Sequence, residues 1–149
     1  MNTPQRNLLI LQESGICKVN EAVFNYTVYS LKPGVHVADK DYYLSINTNH
    51  KGQKKKMLSK ACISEKYETK ARAQLRSQKI DNPSPKRLAK EIGDMVDKDM
   101  EEICKLYVVK DKELDTWIDP LTKALDYLFV QHENDIPTSY NHLLTATND

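Results

Sequence analysis

The sequence predicts an α+β protein in which a small antiparallel β-meander at the N-terminus is followed by three to four helices. Three observations predict it. β-Branched and aromatic residues gather ahead of residue 48, as in Val23, Phe24, Tyr26, Thr27, Val28 and Tyr29. Apolar residues at helical spacing dominate later, most plainly Leu88, Ile92, Met95, Val96, Met100, Ile103 and Tyr107. Between them lies a polar stretch, residues 47–56, which contains Gly52 and ends in Lys54, Lys55 and Lys56. The 149 residues are expected to form a single domain: a β-rich part over about 1–48, a basic seam and helix over about 49–80, and an acidic helical part over about 84–149.

In chain order, residues 8–12 form a short apolar run that Ser14-Gly15 closes as a turn, and residues 16–19 return as a second strand. Residues 22–31 make the next strand. Pro33-Gly34 suits the centre of a type II turn, because glycine accepts the positive φ required there. Residues 35–38 and 42–47 supply further strands; in the last, Tyr42, Leu44 and Ile46 alternate with Tyr43, Ser45 and Asn47. Helical spacing then links Met57, Ala61, Tyr67, Ala71 and Leu75 until Asp81-Asn82-Pro83 ends the helix. Ser84 is placed to cap a second helix with Pro85 at its first position. A third is predicted to start at Asp119-Pro120, to bury Leu121, Ala124, Leu125, Leu128 and Phe129, and to stop at Pro137; residues 140–146 add a last turn or two.

Composition narrows the class. Apolar residues make up 40% and charged residues 29%, enough for both a core and a solvated surface. No apolar run reaches the roughly 18–20 residues that cross a bilayer. Residues 7–12 are too short an apolar segment for a signal peptide and lack a small-residue cleavage site after them, so the expected location is cytoplasmic and no membrane is expected as a partner. Cys17, Cys62 and Cys104 are odd in number and widely spaced, which reads as reduced, buried thiols.

Charge is the most informative feature. Residues 51–90 carry thirteen Lys or Arg against Glu65, Glu68 and Asp81, whereas residues 91–149 carry five against fourteen acids. The whole-chain net of +1 conceals this opposition. Basic residues at reachable spacing hold phosphates, since each neutralised phosphate releases condensed counterions. The candidate nucleic-acid-binding residues are Lys54, Lys55, Lys56 and Lys60 at the seam, Arg72 and Arg76 on the first helix, and Lys86 and Arg87 opening the second. Positions 66, 70 and 73 share one helix face and 72 and 76 another, so the basic residues wrap the helix rather than line one stripe. Two competing readings are a basic helix packed on acidic ones and charged faces that merely meet water.

Residues 84–93 resemble the opening of a helix-turn-helix, in which an alanine is followed four residues later by a turn glycine, here Ala89 and Gly93. The resemblance ends there. Positions six and nine after the glycine should be apolar, and they are Asp99 and Glu102. The apolar stripe runs through Gly93 as it would in one long helix.

The residues for catalysis are not assembled. Gly15, Gly34, Gly52 and Gly93 cannot build a phosphate loop, and no serine sits in a nucleophile elbow. His36, His50, His132 and His142 lack zinc spacing and read as surface or packing residues. Asp94, Asp97 and Glu101 share a helix side and could serve a metal-dependent nuclease, but read first as a hydrated acidic face. Trp117 reads as a core or interface anchor, and the tyrosines at 26, 29, 42 and 43 as sheet packing before base stacking. No cofactor is expected. The sequence thus points to a non-enzymatic binding or regulatory protein that contacts nucleic acid or another polyanion through residues 51–90. The alternative is a protein-interaction adaptor or inhibitor that acts through its acidic helices or by pairing with a second copy.

Overall fold

Each strand pairs antiparallel with the next, giving one four-stranded sheet in the order β1-β2-β3-β4. The strands are β1 (Leu9–Val19), β2 (Ala22–Leu31), β3 (Tyr42–His50) and β4 (Gln53–Cys62). Three helices follow: α1 (Glu65–Ser77), α2 (Pro85–Tyr107) and α3 (Leu114–Phe129). This computed structural model describes residues 9–32 and 42–130. The strand expected over residues 35–38, the Pro33-Gly34 turn, the Pro137 break and the helical turns at 140–146 lie outside the described residues.

The sheet extends further along the chain than expected, to Cys62. Ser14-Gly15 is no turn: β1 runs through it as one strand, bent by a bulge between Leu11 and Glu13. The reversal comes at Asn20 and Glu21, whose φ values of 46° and 72° give the paired positive angles of a two-residue hairpin turn. The polar seam is a second such hairpin. Lys51 (φ 52°) and Gly52 (φ 83°) turn the chain, and β4 then carries Lys54, Lys55, Lys56, Met57, Lys60 and Ala61. Met57 and Ala61 therefore belong to a strand, and helical periodicity begins only at α1, after Ser64.

One face of the sheet carries the helices. Along β2 every second residue (Ala22, Phe24, Tyr26, Val28, Ser30) is buried beneath them. The long helix α2 lies over β1 and β2, α1 packs on α2, and α3 packs on α2 and β4. The α2 start is as expected: Ser84 Oγ accepts from the Arg87 amide at 3.2 Å, and Pro85 follows it. The helix runs unbroken through Gly93, whose position so close to the sheet that a Cβ there would meet Glu13 Cγ at 3.0 Å explains its lack of a side chain. Close packing, rather than a helix-turn-helix bend, is why Ala89 and Gly93 are small. Helix α3 starts at Leu114, not at Asp119-Pro120, and holds Pro120 inside it. Leu114, Trp117 and Ile118 extend its buried stripe one turn ahead of the proline, and that burial overrides the local start signal at Asp119-Pro120.

The core gathers Cys17, Phe24 and Tyr26 from the sheet with Ile92, Val96, Met100 and Cys104 from α2 and Trp117, Ile118 and Leu121 from α3. All three cysteines are free and buried. Burial pushes Cys17 up to about 11 and Cys104 up to about 12 from the ordinary 9.0, with Asp97 second for Cys17 and Cys17 itself second for Cys104. Burial, then Asp97 and Asp94, pushes Tyr26 up to about 12 from 10.0. Burial, then the hydrogen bond to Asp99, raises Tyr67 further still. These groups are neutral when protonated, and their folded pKa values exceed their unfolded ones. Their contribution to stability is thus complete below pH 9 and is lost as pH rises through about 11–12. The urea midpoint is expected to hold steady from pH 7 to 8.5 and to fall progressively above pH about 9. A midpoint flat to pH 11 would contradict this burial of thiols and phenols.

Candidate nucleic-acid interface

The face of the sheet opposite the helices carries the candidate site. Residues paired across strands share a face, so the register defines its rows. One row runs Ile16, Asn25, Asn47, Lys56 and the next Lys18, Val23, Asn49, Lys54. Further along, Ser14 meets Thr27 and Ser45. Among the described residues no helix packs on this face. The four strands place no carboxylate on it either: Glu13 pairs with Val28 on the helix side, and Glu21 sits in a turn.

A groove of about 480 Å³ opens here, lined by Asn25, Asn47, Thr48, Asn49 and Lys54, Lys55 and Lys56 of β4. A second depression adjoins it at Asn25, lined by Ser14, Gly15, Ile16, Tyr26 and Thr27. The Asn25 amide donates to Asn47 Oδ1 at 3.3 Å, tying the two side chains into one polar unit. Lys60 reaches over the Tyr29 ring with its ammonium 5.6 Å from the centroid. Burial first, and then the charge of Lys56, lowers its pKa below the ordinary lysine value.

No protein family, curated protein or solved structure matches this chain. Its function has to be argued from its own geometry.

The candidate residues are not all in one place. Lys54 and Lys56 stand on the open face. Lys55, on the same strand, pairs with Thr48 on the helix side and makes an ion pair with Asp119 of α3 at 3.9 Å. Arg72 is bound within α1, bridging to Glu68 at 3.1 Å. Arg87 donates to Gln78 Oε1 at 3.3 Å, which places the start of α2 beside the end of α1, where Arg76 and Lys86 also lie. The other end of α2 sits at the sheet's hairpin turns, since Asn20 donates to the Val108 carbonyl at 3.3 Å. Roughly twenty helical residues separate the two ends, about 30 Å. The basic segment thus divides into a sheet-face group and a distant helix-corner group.

Of the four ion pairs between described residues, two join residues 51–90 to the acidic residues 91–149: Lys55–Asp119 between β4 and α3, and Lys90–Asp94 within α2. Asp94 and Glu101 pair with Lys90 at 3.5 Å and Lys105 at 3.1 Å along α2 itself. Asp97, crowded on the same side, has its carboxyl raised by burial, Glu101 and Asp94. No group of three or more potential metal ligands occurs among the described residues. His50 is a packing residue: it is buried, edge-on to Trp117 at 5.3 Å. Of the tyrosines, Tyr26 and Tyr42 face the helices and Tyr43 is buried, leaving Tyr29 the partly exposed ring on the open face.

The asparagines were missed from the sequence. Their signal was there: Asn47-x-Asn49 and Lys54-x-Lys56 flank a Lys-Gly pair, and reading that pair as a hairpin turn aligns all four on one face.

Proposed function

We propose that this chain is a non-enzymatic binding protein that holds the phosphate backbone of nucleic acid on the open face of its sheet. The observation that carries the proposal is a face with Lys18, Lys54, Lys56 and Lys60 and, among the described residues of the four strands, no carboxylate, opening into a polar groove. Such a face attracts polyanions and gains affinity from counterion release. The helix-corner group of Arg76, Lys86 and Arg87 is too far away to serve the same short stretch of backbone.

The test is a titration of labelled oligonucleotides across a salt series. The wild type is expected to bind with affinity that falls steeply with salt. Reversing Lys54 and Lys56 together to glutamate should weaken binding at least about tenfold at low salt and reduce the log–log slope by about 1 for each phosphate no longer neutralised. Reversing Lys86 and Arg87 should leave both nearly unchanged. Unchanged affinity in the Lys54/Lys56 variant would sink this surface. A second reading, a protein-interaction adaptor, draws on Leu106 (80% exposed) and Val109 (47% exposed), apolar residues in the last turn of α2 and just beyond it. Silence of every oligonucleotide at low salt would leave that reading standing.

A further inference from the structure

We infer that the groove takes unpaired nucleotides and reads their base edges through Asn25, Asn47 and Asn49, an inference that rests on the nucleic-acid reading above. Two neighbouring rows of the open face repeat one arrangement. A lysine stands on the outer strand and an amide on the strand beside it: Lys56 with Asn47, and Lys54 with Asn49. Strands lie about 4.8 Å apart and alternate residues along a strand about 6.6 Å apart. A backbone following β4 would meet successive lysines, and its bases would lie inward over the amides.

The amides have the capacity to read a base. Asn25 and Asn47 spend one donor and one acceptor on each other. That leaves a carbonyl oxygen on one and an amino group on the other of two neighbouring side chains, whichever way the two amides are turned. A donor beside an acceptor is the pattern with which an asparagine meets the amino group and ring nitrogen of adenine. Asn49 adds a further amide in the next row. A surface meant for phosphate alone would gain more from lysine or arginine at these three positions than from neutral amides.

The strand must be unpaired for these groups to reach. In a duplex the base edges are recessed between two backbones, and asparagine is a short side chain standing on a sheet rather than on an element that enters a groove. An unstacked base can lie flat on the face, and the groove of about 480 Å³ is of the size of a small-molecule site, enough for a base and its sugar. The adjoining depression at Ser14 and Thr27 continues the track.

The test compares three probes of equal length on the full chain: single-stranded oligo-dA, an abasic deoxyribose-phosphate strand, and the oligo-dA duplex with oligo-dT. Oligo-dA is expected to bind roughly tenfold tighter than either of the others. Asn47→Ala and Asn49→Ala, both at surface positions, should lower oligo-dA to the abasic level while leaving abasic binding and its salt slope unchanged. Circular dichroism of each variant establishes that the sheet is intact. Equal affinity for oligo-dA and the abasic strand overturns the inference and leaves the phosphate reading in place. Tighter binding of the duplex also overturns it. Failure of all three probes at low salt overturns both.

Discussion

Alanine at Gly15 is expected to destabilise the protein by about 3 kcal/mol, at the upper end for overpacking a core, although glycine within a strand is ordinarily the weaker choice. A Cβ at this position would lie 2.2 Å from Tyr26 Oη and 2.3 Å from Cζ. The Tyr26 ring lies against the bare backbone of Gly15 on β1 and, on its other side, near Gly93 of α2, where a Cβ would come within 3.7 Å of Cε1. The ring is rigid and only 7% exposed, so it cannot swing aside without opening the contact between α2 and the sheet. The measurement is the urea midpoint of Gly15→Ala beside that of Ser14→Ala, its neighbour on the open face, which should move little. A Gly15→Ala midpoint at or above wild type would show that Tyr26 does not occupy this position. Combining the change with Tyr26→Leu, which withdraws the ring, should cost less than the sum of the two single losses.

Phe129→Ala is expected to cost about 3–5 kcal/mol, as for other fully buried phenylalanines. Phe129 ends α3 and meets Tyr67 of α1 edge-on, with ring centroids 5.2 Å apart. Its carbonyl accepts from the Ser64 amide at 2.7 Å, and Val130 forms an antiparallel bridge with Ile63. Tyr67 in turn donates its hydroxyl to Asp99 of α2. One aromatic pair therefore fastens the exit of β4, the entry of α1 and the last turn of α3, so the lost volume is felt in three elements. Leu106→Ala, a truncation at an exposed site, provides the comparison and should stay within about 0.5 kcal/mol. A Phe129→Ala loss that small would mean that this junction contributes little to stability.

The parts of the fold legible in the sequence are those whose pattern is dictated locally by burial. Helix α2 shows because one side of it is buried along its whole length. Strand β2 shows because a two-residue period of burial coincides with β-branched and aromatic residues. Strand β4 is the opposite case. Gln53, Lys54, Lys55 and Lys56 are exposed on both faces because the strand lies at the rim of the sheet, and a stretch polar on both sides has no period to read. The start of α3 differs from expectation because Asp119-Pro120 has the local form of a cap, while the Leu114, Trp117, Ile118 stripe that precedes it gains its weight only from tertiary burial. For the site, the lysines are visible as charge, but their sidedness is not. Which lysine faces the groove, which one meets Asp119, and which asparagines stand beside them all follow from register between strands, a non-local property.

The position of β4 has another consequence. A rim strand offers backbone N–H and C=O groups to any passing strand, and sheets of different molecules can join there into aggregates. In this protein three consecutive lysines and the bulge near Met57 occupy that rim, so two copies approaching edge to edge meet like charge and a broken ladder. The same lysines that the proposed function uses to hold phosphates thus also oppose edge-to-edge joining of two copies.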